Sequence, residues 1–438
     1  MSKEKIRYFI RTFGCQMNES DSERIAGLLG GTGAVKAERP EEADWIIVNT
    51  CAVREKSEEK LFSYLGRLAQ LKKKKAVRIA VVGCVAQLRG WELLQKKAAI
   101  DFVLGPDNEA ELVALVQGDA AEKYVSTSWS KAWHETSPNL IRRDSPVSGY
   151  VAVMEGCDNF CAYCIVPYTR GREKYRPLRS ILEEVRDLAR KGYREVQLLG
   201  QNVNSYQDPD SGAPFRGLLK DVAAVEGVEW IRFLTSHPKN FRPEIAEAMA
   251  EIGKVCRQLH LPLQSGSNAV LKRMRRGYTK EGYLDIVSRL RNLMPGISLS
   301  TDIIVGFPGE TDLDFEETIE VLRRIRFGNI FSFRYSPRPS AAASRLEDSI
   351  SKPTKQRRLE EVQRLQKTIQ LEDHSRLVGQ TMRVLCLGRG HKTPHLFSGR
   401  NEGNQVVNFR SDEDPTGRFV KVRITGFGPF SLIGEKTS

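Results

Sequence analysis

Apolar and polar positions change period along the chain, and the changes mark out its elements. Residues 6–13 alternate as a strand does and end at Gly14-Cys15. Residues 45–48 form a short apolar run ahead of Asn49-Thr50-Cys51, and residues 77–82 form another ahead of Gly83-Cys84. Between the last two, Leu61, Phe62, Leu65, Leu68 and Leu71 recur at helical spacing. Repeated strand–loop–helix units of this kind predict an open α/β sheet, in which ligands gather beyond the carboxyl ends of strands. Cys15, Cys51 and Cys84 each stand just past such an end, so the fold logic brings them together across a wide sequence separation.

Periodicity lapses over 122–147, where Ser, Thr, Pro and Trp accumulate and a linker is expected. Strand–helix alternation then resumes, with strands predicted at 150–154, 195–199, 230–234, 258–263, 298–305 and 330–335. The clearest intervening helix covers 180–191 and stops at Gly192. Six such βα repeats, short of eight, predict an open partial (β/α)6 barrel. Leu359, Val362, Leu365 and Ile369 mark one further amphipathic helix. From Gln380 onward short strands alternate with Gly-rich turns, as in a small OB-like β-barrel. The expected organisation is therefore α/β, with domains at 5–121, 143–373 and 376–438.

Composition adds limits. The 438 residues, 40% hydrophobic and 28% charged, suffice for several cores. No run approaches the ~18 apolar residues of a membrane span, and the opening Met-Ser-Lys-Glu-Lys-Ile-Arg carries no apolar leader. A cytoplasmic chain is expected. The formal charge of +13 favours a polyanionic partner. Residues 376–438 hold ten Lys and Arg against five Asp and Glu, which makes the small barrel a candidate nucleic-acid grip. Eight cysteines are too sparse for a disulfide scaffold; clustered in a reducing compartment, they point to metal or chemistry.

Cys157, Cys161 and Cys164 form C-x3-C-x2-C directly after a predicted strand. Three thiolates from one loop can hold three irons of a [4Fe–4S] cluster and leave the fourth open. A structural zinc loop, the alternative, wants a fourth ligand nearby; the next histidine is His237. Cys256 and Cys386 lie in apolar surroundings and are expected to be buried small hydrophobes.

The triad, the strand before it and the partial barrel resemble the radical S-adenosylmethionine (SAM) superfamily, in which the open iron binds SAM and reductive cleavage yields a 5′-deoxyadenosyl radical. Arg-Thr-Phe-Gly-Cys15-Gln-Met-Asn, Val-Asn-Thr-Cys51-Ala-Val-Arg-Glu-Lys and Val-Val-Gly-Cys84-Val-Ala-Gln resemble the N-terminal signatures of its methylthiotransferase family, and the C-terminal barrel resembles that family's RNA-binding TRAM domain. The run from Asn49 to Lys56, the run from Ile165 to Glu173 and Tyr335-Ser-Pro-Arg-Pro339 are most similar to the MiaB branch. That branch adds a methylthio group to C2 of N6-isopentenyladenosine beside the tRNA anticodon. Its relatives act on threonylcarbamoyladenosine in tRNA or on an aspartate of a ribosomal protein. An RNA-binding protein with inert metal sites is the reading from a different class.

The resemblance implies two [4Fe–4S] clusters, one on Cys157, Cys161 and Cys164 and an auxiliary one on Cys15, Cys51 and Cys84, with one SAM as methyl donor and a second as radical source. It assigns no side chain as acid or base. It places SAM near Gln201, Asn202, Ser236 and His237 at strand ends and near Asp302 and Gly306 in the run Thr301 to Glu310; Tyr163 either packs on the SAM adenine or fills the core. Arg400, Arg410, Arg418, Lys421 and Arg423 in the small barrel are candidate RNA contacts, with Lys272 and Arg273 on a helix as a second set. The implied partners are a prenylated anticodon stem-loop of tRNA, a reductant such as flavodoxin or ferredoxin, and a sulfur donor, with no membrane and a monomer as the working form.

Overall fold

The computed structural model describes residues 5–53, 55–118, 123–390 and 395–437. Arg54, the expected domain end at 121 and the final residue 438 lie outside the described residues.

The first unit is an all-parallel sheet. Its strands are β1 (Arg7–Phe13), β2 (Val35–Lys36), β3 (Trp45–Thr50), β4 (Arg78–Gly83), β5 (Phe102–Leu104) and β6 (Tyr124–Ser126), in the order β2-β1-β3-β4-β5-β6 among the described residues. Helices α1 (Gln16–Gly31), α2 (Glu55–Lys74), α3 (Cys84–Lys96) and α4 (Glu111–Gln117) cover its faces. Ile46, Val48, Ile79 and Val81 point to one face and Ile47, Ala80 and Val82 to the other, all fully buried, which is why these strands read as unbroken apolar runs. The expected linker is in part structural. Residues 124–126 add an edge strand, and Arg142 N–H donates to the Glu23 carbonyl at 3.2 Å. A three-residue edge strand has too few positions to show a period.

The second unit begins with β7 (Ser148–Ala152) and a short hairpin of β8 (Met154–Glu155) and β9 (Lys174–Tyr175), with α5 (Val166–Thr169) between them. There follow α6 (Leu178–Arg190), β10 (Glu195–Leu199), α7 (Phe215–Ala224), β11 (Trp230–Phe233), α8 (Pro243–Glu251) and β12 (Gln258–His260). Then come α9 (Asn268–Arg273), α10 (Lys280–Leu293), β13 (Ser298–Val305), α11 (Asp312–Ile325), β14 (Asn329–Arg334) and α12 (Lys352–Ser375). Strands β7-β10-β11 and β12-β13-β14 are parallel sets, joined through Ile231, whose N–H donates to Lys254 O at 2.8 Å and whose carbonyl accepts from Cys256 N at 3.0 Å. The result is the expected open six-strand partial barrel. Strand β12 stops short of the predicted 263 because Pro262 lacks the N–H a ladder needs.

Alternation divides each barrel strand. Along β13, Leu299, Thr301, Ile303 and Val305 are buried toward the helices, whereas Ser300, Asp302 and Ile304 face inward and stay half-buried. Helix α12 passes beneath the sheet and leads to a closed barrel of β15 (Thr381–Arg389), β16 (Leu396–Asn401), β17 (Val406–Arg410), β18 (Phe419–Phe427) and β19 (Leu432–Lys436), ordered β15-β16-β17-β19-β18. It packs where the large barrel's strands begin: Leu385 shares a buried cluster with Val147, Trp230 and Cys256. Arg232, 1% exposed at its side chain, pairs with Glu195 at 2.7 Å and donates to the carbonyls of Asn401 and Glu402, each at 2.7 Å. Cys256 and Cys386 are buried, as expected of them.

Candidate active site

Cys15, Cys51 and Cys84 follow the adjacent strands β1, β3 and β4, which are in register over Phe13, Thr50 and Gly83. The flanking residues explain the local geometry. Asn18 Oδ1 accepts from Cys15 N and Sγ, both at 3.4 Å, and its amide donates to Asn49 Oδ1 at 3.1 Å. Asn49 returns a hydrogen bond to the Asn18 carbonyl at 2.9 Å, so the buried pair ties the first two cysteine turns together. Gly83 has φ +88°, and a Cβ there would lie 2.5 Å from Asn49 Oδ1; only glycine lets the third turn close against them. Cys15 caps α1 and Cys84 opens α3, so two helix N-termini point their free N–H groups at the triad.

Electrostatics agree with that placement. The Cys15 thiol is drawn down to about 6, first by its hydrogen bond with Cys51, whose own thiol is held well above the ordinary range. Burial pushes Cys84 up, and the neighbouring Arg170 guanidinium works against that. Buried thiols of this kind ionise outright when a metal supplies the counter-charge.

The second triad lies on the loop after β8. Four bonds pin it: Gly156 N to Gln201 Oε1 at 2.6 Å, Cys157 N to Gly171 O at 3.1 Å, Ala162 N to Met274 O at 2.9 Å and Ala343 N to Ala162 O at 2.7 Å. Asn159 donates to Cys157 Sγ at 3.5 Å and Val166 N to Cys164 Sγ at 3.4 Å. Burial raises Cys157 to about 11 and Cys164 to about 12. Cys161 is met from the side by Arg276 Nη1 at 3.4 Å and by His237 Nε2 at 3.6 Å. His237 Nδ1 accepts from Lys239 N at 3.2 Å, which leaves the proton on Nε2 toward the sulfur. Burial, Arg276 and Lys239 hold this imidazole down to about 2, so it stays neutral.

Both cysteine triads fit iron–sulfur clusters. Among the described residues no three His, Cys, Asp or Glu side chains converge on a single ion; thiolates that each bind a separate iron of a cluster need not converge. Three polar side chains beyond the barrel strands also carry an atom that lacks a partner. Asn202 Oδ1, Ser236 Oγ and Gln264 Oε1 are buried without a hydrogen-bond partner, and they follow β10, β11 and β12 in turn. Buried polar atoms are rarely orphaned, and three at consecutive strand ends suit a polar ligand such as the amino and carboxylate groups of SAM. Packing joins the two units around the triads: Cys15 and Met17 pack with Ala152, Leu199 and Leu234 at the ends of barrel strands, and Ile165, next to Cys164, shares a buried cluster with Cys84.

The remaining sequence-predicted residues fall in different places. Gln201 supports the cysteine loop, while the Asn202 amide donates to Glu173 at 3.0 Å. Tyr163 is half-buried, its hydroxyl 3.3 Å from Arg276 Nη1. Asp302 faces the barrel interior beside His260 at 3.5 Å, and Gly306 N donates to Glu310 at 2.9 Å under α12. Arg410, Arg418, Lys421 and Arg423 are exposed on the small barrel, with Phe427 and Phe430 also exposed on it. Arg400 turns inward instead, bonding Asn404 O at 3.0 Å near Arg232 and Tyr150. Lys272 is exposed, whereas Arg273 donates to Gly309 O at 2.8 Å. Sequence reasoning missed Gln264, Arg170 and the burial of Arg276. A polar residue directly after the apolar run 259–263 was the available signal for Gln264; Arg276 lay hidden in a basic run.

Comparison with known proteins places these features. Residues 7–105 match the "Uncharacterized protein family UPF0004", residues 151–322 the "Radical SAM superfamily" and residues 375–437 the "TRAM domain". A tRNA-2-methylthio-N(6)-dimethylallyladenosine synthase of Geobacter metallireducens is 46% identical over 99% of both chains. Those of Thermodesulfovibrio yellowstonii and Aquifex aeolicus are each 43% identical over 98% of both chains. Among solved structures, the radical SAM methyltransferase TsrM of Kitasatospora setae matches at TM-score 0.58 and 16% identity over 78% of this chain and 75% of that one, a likeness of fold.

Proposed function

The chain belongs to the family of tRNA-2-methylthio-N(6)-dimethylallyladenosine synthases, and from that premise we propose that it methylthiolates C2 of N6-dimethylallyladenosine next to the anticodon of a tRNA. It is a radical SAM enzyme, and that superfamily implies a [4Fe–4S] cluster and SAM. In our reading Cys157, Cys161 and Cys164 hold that cluster, and Cys15, Cys51 and Cys84 hold a second. When bound, these groups supply hydrogen abstraction from an unactivated carbon and the sulfur that replaces the hydrogen.

The chain's own residues do the rest. Arg276 and neutral His237 fix Cys161 from one side, and Gln201 holds the loop through Gly156. Asn202, Ser236 and Gln264 offer their unpartnered atoms to SAM. Leu199, Leu234, Ala152 and Met17 pack beside Cys15 as an apolar layer, which would help to exclude water there. Arg410, Arg418, Lys421 and Arg423 face outward to meet RNA phosphates, with exposed aromatic side chains beside them for stacking. Both triads lie in one chain, so a monomer suffices; electrons come from a small reductant such as flavodoxin or ferredoxin, and sulfur from a separate donor.

The observation that supports this reading most is the match along the whole chain to enzymes of this name, with Cys15, Cys51 and Cys84 at the ends of three adjacent strands and Cys157, Cys161 and Cys164 on one loop. Anaerobic reconstitution followed by iron and sulfide assay tests it. About eight irons per chain are expected, falling to about four when either triad is changed to Ala. Zinc in place of iron, or about four irons with both triads intact, would overturn it.

A further inference from the structure

Arg170 lies six positions beyond Cys164, on the chain that leaves the radical SAM loop, yet it ends in the wall of the other site. Ile165, directly after Cys164, is 2% exposed in the core of the first unit, in the same cluster as Cys84 and Val85. Helix α5 then delivers Arg170, 3% exposed, against Cys84. One arm of the guanidinium, Nη2, pairs with Asp21 of α1. The other arm, Nη1, stands 3.7 Å from Glu155 Oε1 and makes no hydrogen bond. Arg24, which binds Asp21 at 3.2 Å and Glu109 at 2.9 Å, occupies the other oxygen of Asp21.

A buried guanidinium N–H without a partner is costly, and this guanidinium neighbours the Cys84 and Cys15 thiols, which read as cluster ligands. We propose that Arg170 is a positioning residue for the second cluster, its Nη1 donating a hydrogen bond to a sulfur of the group held by Cys15, Cys51 and Cys84. Resting on the two-cluster reading above, the assignment makes the radical SAM loop and the second cluster parts of one charged frame. Asp21 and Glu155 set the height of the arginine, and the arginine sets a hydrogen bond and a positive charge beside the cluster. Hydrogen bonds to sulfur and nearby charge tune cluster potentials, and a cation favours the reduced, more negative state.

The test uses the full-length chain with Cys157, Cys161 and Cys164 changed to Ala, so that only the second cluster loads, and compares Arg170 with Arg170→Gln and Arg170→Lys. Iron content, the potential-poised EPR signal and the unfolding midpoint are read together. In Arg170→Gln iron stays at about four per chain. The ratio of reduced to oxidised cluster at fixed potential falls about tenfold, which corresponds to about 59 mV for one electron. Arg170→Lys, which keeps the charge but cannot serve Asp21 and the cluster at once, falls between the two. An unchanged reduced-to-oxidised ratio at fixed potential, with unchanged g-values, in both variants would overturn the inference. So would cluster loss that merely follows loss of fold in both, since that would make Arg170 a structural residue. A parent chain that binds no iron would instead overturn the two-cluster reading itself.

Discussion

At the residue scale, the site separates side chains that hold the loop from side chains left free for a ligand. Gln264 carries a buried, unpartnered Oε1, so removing it takes away no intramolecular bond. Gln264→Met should leave the unfolding midpoint unchanged or slightly raised while weakening SAM binding roughly fivefold to tenfold, the loss of one hydrogen bond. Isothermal calorimetry on the reconstituted enzyme reads this directly, and a stability loss with unaltered SAM affinity would make Gln264 structural. Arg276 is the opposite case. It is buried and satisfied by Pro262 O at 2.8 Å, Tyr278 Oη at 3.0 Å and Cys161 Sγ. Arg276→Met should cost roughly 2–4 kcal/mol in urea unfolding, because the carbonyl and the phenols lose a charged donor. A loss below about 0.5 kcal/mol, the range of an ordinary surface change, would contradict it. The six cysteines were legible because spacing and strand ends announce them. Arg276 was not, since a basic run looks the same whether its last member faces solvent or turns under a loop.

At the element scale, short devices at strand and helix ends aim the site. Helix α11 starts in a capping box in which Thr311 and Asp314 bond each other's backbone N–H, and Asp314 also accepts from Ser267. Burial would raise the Asp314 carboxyl, but the hydrogen bonds from Ser267 and Thr311 outweigh it and hold the group below its ordinary range. With a folded value below the unfolded one, its stabilisation is present above the ordinary carboxylate range and is lost as pH falls through the folded value. Asp314→Ala should therefore cost about 1 kcal/mol at pH 7, with the gap from the parent closing on acidification below about pH 4. Thermal unfolding across pH measures this, and a gap that widens on acidification would refute it. Strands β3 and β4 were readable from apolar runs because both are buried nearly along their length, whereas β1 showed itself by alternation. The apolar run over 258–263 outlasts strand β12, which ends before Pro262, and β6, an edge strand of three residues, has no period of its own.

At the scale of the whole molecule, contacts between units were the part that sequence could not show. Arg232 and Asn401 are 169 positions apart, and nothing local to either marks their bond. Together with Glu195 they close the large barrel where its strands begin and seat the small one. Arg232→Met would leave Glu195 buried without its partner, at a cost of roughly 3–5 kcal/mol, and should expose the segment before β15 to protease. Limited proteolysis beside urea unfolding checks it; an unaltered digestion pattern would place the docking elsewhere. No helix among the described residues is long and apolar enough to cross a membrane.

The central claim is that two cysteine sites in one chain replace a carbon-bound hydrogen of a prenylated adenosine with a methylthio group. It is tested most directly by anaerobic turnover with SAM, dithionite and an isopentenylated anticodon stem-loop, followed by mass spectrometry of the nucleosides. The wild type should yield 2-methylthio product together with 5′-deoxyadenosine. The variant with Cys15, Cys51 and Cys84 changed to Ala should yield 5′-deoxyadenosine alone. Methylthio product from that variant, or 5′-deoxyadenosine without modified RNA from the wild type, would contradict the account.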